Sequence, residues 1–206
     1  MLAPTTLKTL DFADGLALVE EGAAFVDLRP TAEYLDVHIP GSLALLYESG
    51  PGMAGRARDC IPLEQSLVLL EHGAVPMQNA AAALRGKGFP VLGQVEDGIN
   101  RWASARGTPV STEVFTGTQP PDGELLDVGD PGAVRREGVR RLPVERLWHG
   151  AEGLAGDRPV VVISGYGVRA GLAVGILERA GREVSVWRPD QRSVASWHSA
   201  QPRSGR

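Results

Sequence analysis

The chain has 206 residues, 43% hydrophobic and 22% charged, enough for one large or two small globular domains. A net charge of −4 and a pI near 5.6 argue against a nucleic-acid-binding surface. A single cysteine, Cys60, excludes an internal disulfide framework, and four scattered histidines give no metal-ligand spacing. No stretch approaches the ~20 apolar residues of a bilayer span. Met1 to Lys8 is not a basic segment leading into an apolar one, so cytoplasmic residence is the expectation.

In chain order, Leu7 to Glu20 reads as a helix with Leu10, Ala13, Ala17 and Leu18 on one side. Ala23 to Leu28 is a short buried strand, ended by Pro30, and a helical turn follows with Thr31 as its cap. Pro40-Gly41 signals a turn, and Leu43 to Tyr47 reads as a strand. Residues 48 to 60 carry no clear periodicity. Ser66 to Leu70 is an apolar strand, Asn79 to Lys87 an Ala-rich helix stopped by Gly88, and Phe89 to Val95 a strand. A last helix starts at Gly98. A linker begins at Gly107 and is loosest over Gly117 to Gly123, which places a boundary between domains of residues 1–110 and 111–206.

The second half repeats the first. Leu125-Leu126-Asp127-Val128 mirrors Phe25-Val26-Asp27-Leu28, and Val160 to Ile163 mirrors Leu67 to Leu70. A helix from Ala170 to Ala180, ended by Gly181, mirrors the helix ended by Gly88, and Trp197 mirrors Trp102. Alternating strands and helices in two copies predict an α/β protein with two mostly parallel sheets flanked by helices. The pairs Arg135-Arg136 and Arg140-Arg141 read as solvated helix-face charges.

Val160-Val161-Val162-Ile163-Ser164-Gly165-Tyr166-Gly167-Val168-Arg169 carries the chemistry: a buried strand, a glycine-bearing loop and a helix start. Unpaired amides at a helix N-terminus make an anion cradle, in which Gly165 and Gly167 give the backbone freedom and Arg169 offers a charged fork. The string is not the G-x-S-x-G of a serine hydrolase, and His149 and His198 read as surface or packing residues.

Three signatures together resemble the rhodanese-like sulfurtransferases. One is Val26-Asp27-Leu28-Arg29 with Glu33-Tyr34 and His38-Ile39-Pro40-Gly41-Ser42. The second is Gly98-Ile99-Asn100-Arg101-Trp102 with Gly107-Thr108-Pro109-Val110. The third is the loop from Ser164 to Arg169 with the helix after it. The resemblance implies two tandem rhodanese-like domains. In that family a loop cysteine carries sulfur as a persulfide. Here Ser164 stands at that position in the second copy, and Glu71, with Pro76 in place of the closing Arg, in the first. The resemblance gives His38, Asp27 and Arg29 structural roles around the turn.

A thiol with pKa near ~8.5 can be ionised by such a cradle, whereas a serine hydroxyl without a base is a poor nucleophile and stores no sulfur. The expected function is therefore binding of a small sulfur-containing anion, or of a partner protein, at Ser164, Gly165, Tyr166, Gly167, Val168 and Arg169, with sulfur transfer impaired. No cofactor, metal, nucleic acid or membrane is expected. Two alternatives stand beside it: an active thiosulfate sulfurtransferase whose cysteine was replaced by Ser164, and a phosphatase-like anion site.

Overall fold

The computed structural model describes residues 6–48, 52–129, 138–154, 158–163 and 167–189. Its first half runs β1 (Thr9–Leu10), α1 (Phe12–Glu20), β2 (Ala24–Asp27), α2 (Thr31–Asp36), β3 (Leu43–Ala44), α3 (Gly52–Cys60), β4 (Leu67–Leu70), α4 (Met77–Gly86), β5 (Val91–Val95) and α5 (Gly98–Arg106). Its second half runs β6 (Val114–Gly117), β7 (Glu124–Asp127), β8 (Arg140–Arg141), α6 (Val144–Gly150) with a 3₁₀ turn (Ala151–Gly153), β9 (Val160–Ile163), α7 (Gly167–Arg179) and β10 (Val184–Pro189).

The two sheets have the same topology. Strand order is β1-β5-β4-β2-β3 in the first and β6-β10-β9-β7-β8 in the second, with every pairing parallel. The repeat seen in the sequence is thus a repeat of five-stranded sheets. The first sheet carries helices on both faces.

Side-chain alternation along the strands explains how the sheets are buried. Ala24, Val26, Leu67 and Leu69 of the first sheet and Leu126, Val160, Val162 and Val186 of the second enter one continuous core, shared with α2, α3, α4, α6 and α7. Phe25, Val68, Leu70 and Val95 face the other way, under Leu16, Val19 and Trp102 of α1 and α5. Val161, Ile163 and Trp187 form the outer cluster of the second sheet. Strands buried on both faces need near-continuous apolar sequence, as Val160-Val161-Val162-Ile163 supplies.

Glycines let α7 seat closely on the first half. A Cβ at Gly175 would lie 2.1 Å from the Ser42 carbonyl oxygen, and one at Gly171 would lie 2.9 Å from Thr31 Cγ2 and 3.2 Å from Ala44 Cβ. Side chains at these positions would hold α7 off β3 and α2.

Several sequence expectations are corrected. Leu7 to Glu20 is not one helix: Thr9 and Leu10 pair with Gln94 and Val95 as an edge strand before α1 begins. Thr31 does not cap α2; Pro30 holds the cap position, with no side-chain hydrogen bond. The unperiodic stretch before Cys60 contains α3, whose buried positions are mostly small: Met53, Ala54, Ala57 and Cys60. The strand after Pro40-Gly41 spans only Leu43–Ala44.

The start of the expected linker is tied to the first half, whereas residues 118–123, its expected loosest part, form no helix or strand. His38 and Val110 exchange backbone hydrogen bonds (2.8 and 3.0 Å), and Thr112 N–H donates to the Leu35 carbonyl at 2.8 Å. Gly117 ends β6, a strand of the second sheet. Arg140 and Arg141 lie on the edge strand β8 rather than on a helix, and Arg140 pairs with Glu124 at 3.1 Å. Arg135, Arg136, Trp197 and His198 lie outside the described residues. α6 and β10 were not expected, and α7 begins at Gly167, three residues before the expected start.

Candidate functional site

β4 and β9 are the central strands of their sheets, and each runs from its C-terminal end into a helix. Ligand sites of parallel sheets gather at that edge, where loops leave the strands and helix N-termini point inward. In the sequence, Glu71 and Ser164 each follow the last residue of the central strand.

The first loop is closed on itself. Glu71 N–H donates to the Val95 carbonyl and Val75 N–H to the His72 carbonyl, both at 2.8 Å. Pro76, at the cap position of α4, has no N–H to give. With Glu71 at the strand exit and Pro76 at its close, this loop has neither the cysteine nor the arginine of the family pattern.

In the second loop Ser164, Gly165 and Tyr166 lie outside the described residues; Gly167, Val168 and Arg169 form the first turn of α7. Gly167 does not adopt a positive φ, so its backbone is ordinary helix rather than the special turn expected of it. Its position is at the seam between the halves: a Cβ there would meet Arg188 Nη2 at 3.7 Å and Thr31 Cγ2 at 3.9 Å.

Arg169 is engaged by a carboxylate. Its Nη1 lies 2.6 Å from Glu145 Oε1 at the start of α6. An anion that takes up the Arg169 guanidinium therefore competes with Glu145. Sequence reading missed both Glu145 and Arg188. Arg188 was legible in principle, because it stands one residue past the register pair Ile163↔Trp187 on the strand next to β9. Glu145 had no such signal, since the helix that presents it was not foreseen.

The one thiol is elsewhere. Cys60 ends α3, is 4% exposed, and packs in the shared core. Burial pushes its thiol up to about 12; Glu145 adds to the rise, and Arg169 opposes it. Such a group is protonated at neutral pH and is a poor nucleophile. His149 is exposed on α6.

The structural roles expected around the first turn are present. Asp27 chelates the Arg29 guanidinium, with Nε 3.0 Å from both carboxylate oxygens and Nη2 2.6 Å from Oδ2, and accepts the Arg29 N–H at 3.0 Å. Arg29 also donates to the Val37 carbonyl. Asp127 repeats the local turn by accepting the Gly129 N–H at 2.9 Å, but position 129 has no guanidinium to chelate. Among the described residues, no group of three His, Cys, Asp or Glu side chains could hold a metal, and no helix is long and apolar enough to cross a membrane.

The family model of the rhodanese-like domain matches residues 12–105. A protein named thiosulfate sulfurtransferase GlpE from Pseudomonas savastanoi pv. phaseolicola is 32% identical over 98 residues, which cover 48% of this chain and 89% of the relative. Its namesake from Pseudomonas entomophila is 34% identical over 97 residues, 47% of this chain and 85% of its own. The crystal structure of thiosulfate sulfurtransferase from Pseudomonas aeruginosa superposes on 91% of this chain and 44% of its own, with a TM-score of 0.40 and 17% identity. The chain spans 89% and 85% of the length of the two GlpE relatives. The chain is a member of the rhodanese-like, thiosulfate sulfurtransferase family.

Proposed function

We propose that this protein is a sulfurtransferase-family scaffold that binds a small sulfur-containing anion such as thiosulfate without carrying sulfur covalently. The anion sits at the loop from Ser164 to Arg169, with the helix N-terminus and Arg169 as its charge partners. One observation carries the reading. Both strand-exit positions lack sulfur, with Glu71 in one and Ser164 in the other, while the only thiol is buried at the end of α3 with its ionisation suppressed. The Ser164 hydroxyl can donate a hydrogen bond to an anion but forms no persulfide, so binding and transfer come apart. The contact between Glu145 and Arg169 makes the binding weak, because the incoming anion displaces a carboxylate already in place.

Two measurements on the same sample test the proposal. Calorimetric titration with thiosulfate is expected to show weak binding that Arg169→Gln abolishes and Glu145→Gln strengthens. Intact-mass analysis after thiosulfate treatment is expected to show no added sulfur atom. Binding indifferent to Arg169→Gln removes the site, and an added sulfur atom on Cys60 removes the claim of silence.

A further inference from the structure

His38 and Glu178 join the two halves through a contact that lacks a proton if both groups take their usual neutral-pH forms. The His38 ring is 0% exposed. Its Nδ1 is 2.8 Å from the Tyr34 carbonyl oxygen, and its Nε2 is 3.0 and 3.1 Å from the two carboxylate oxygens of Glu178 on α7. A carbonyl and a carboxylate only accept, whereas a neutral imidazole has one N–H to give. Whichever nitrogen carries that hydrogen, the other turns a lone pair toward an oxygen, on a ring that is fully buried. The arrangement is satisfied when the pair holds one more proton, as an imidazolium facing a carboxylate or as a neutral ring facing a carboxylic acid.

The surroundings support retention of that proton. Gly41 N–H donates to Glu178 Oε2 at 2.8 Å, fixing the carboxyl group against the turn. The Tyr34 ring stacks on the His38 ring with centroids 4.1 Å apart, and its hydroxyl donates to the Ser42 carbonyl at 2.7 Å. Burial, then the charge of Glu178, holds the Tyr34 phenol well above its ordinary value, so Tyr34 stays neutral. The other nearby charges are matched or turned aside. Asp27 and Arg29 chelate each other beside Val37, and Arg179 places its guanidinium over the Trp148 ring. The His38 backbone is itself tied down by paired hydrogen bonds with Val110.

We propose that a proton shared by His38 and Glu178 clasps the second half of the chain to the first, so that their docking weakens as pH rises. The sign follows from proton counting. An unfolded histidine releases its proton near pH ~6.5 and an unfolded glutamate near ~4.3. Above ~6.5 the folded pair binds more protons than the unfolded chain, so stability falls as pH rises; below ~4.3 the unfolded chain binds more, so stability falls as pH drops. Glu178 lies near the C-terminal end of the helix that begins at Gly167. The clasp does not depend on what the candidate loop binds.

Glu178→Gln separates a proton clasp from a merely structural contact. A glutamine amide donates to His38 Nε2 and its carbonyl accepts the Gly41 N–H, which keeps both bonds without a titrating group. Unfolding of the full-length protein and of this variant is followed from about pH 5.5 to 9, where other groups cancel in the difference. Relative to E178Q, the wild-type unfolding constant is expected to rise above pH ~6.5 by up to about tenfold per pH unit. Parallel profiles overturn the proposal. Imidazole nitrogen shifts of wild-type His38 give a second readout if E178Q does not fold. A doubly protonated ring, or a singly protonated one hydrogen-bonded to a carboxylic acid, is expected at pH 7. A neutral ring beside an ionised Glu178 overturns the clasp.

Discussion

Replacing Gly175 by alanine tests the seating of α7 on the first half. The added methyl would lie 2.1 Å from the Ser42 carbonyl oxygen, 3.1 Å from its carbon and 3.0 Å from the Tyr34 hydroxyl. A carbon–oxygen contact needs about 3.3 Å, so α7 or the turn before β3 must move by about 1 Å. The obstacle is backbone, and no rotamer change relieves it. Overpacking of this kind costs about 1–3 kcal/mol. The same movement strains the bond from the Tyr34 hydroxyl to Ser42, and an unpartnered buried hydroxyl costs a further ~1–3 kcal/mol. Alanine's helix propensity returns about 1 kcal/mol. The net expectation is a loss of about 1–5 kcal/mol, a fall in Tm of roughly 2–20 °C. Gly55→Ala on α3 is the control, because a Cβ there meets nothing within 4 Å, and it is expected to stabilise by about 0.5–1 kcal/mol. Thermal and urea unfolding of both variants decide the matter. A Gly175→Ala protein as stable as the wild type refutes the close packing of α7 on β3.

Two further outcomes follow from buried groups. Cys60 is expected to react with a thiol reagent at pH ~8.5 roughly a thousandfold more slowly than an exposed cysteine, its labelling following unfolding. Its raised value also makes stability fall above the unfolded thiol's ~8.5; prompt labelling of the native chain contradicts its burial. Asp27→Asn breaks the chelate on Arg29, whose side chain is only 12% exposed, and is expected to cost about 3 kcal/mol in denaturant unfolding. A loss within experimental error would mean that the pair does not support the turn.

What the sequence disclosed depended on the range of the interactions. Val160 to Ile163, Leu67 to Leu70 and the Ala-rich helix before Gly88 were legible because local pattern and burial agree in them. α3 was hidden because its buried face is made of small residues, Ala54 and Ala57 beside Met53, in a stretch rich in Gly and Arg. β8 and β6 were hidden because edge strands of two and four residues owe their conformation to the partner strand rather than to their own propensity. The loop from Ser164 was found from local sequence alone. The carboxylate that holds Arg169 was not, because Glu145 reaches it across the fold. His38 was read correctly as a bonding residue of its turn, but its partner Glu178 is 140 positions away. Contacts of that length leave no local trace in a single sequence.

The most direct measurement is steady-state transfer of sulfur from thiosulfate to cyanide by the unaltered chain, followed as thiocyanate. The account predicts no turnover above the buffer rate, since Ser164 and Glu71 occupy the strand exits and Cys60 is sealed in the core. Sustained turnover that survives removal of contaminating enzymes would contradict it.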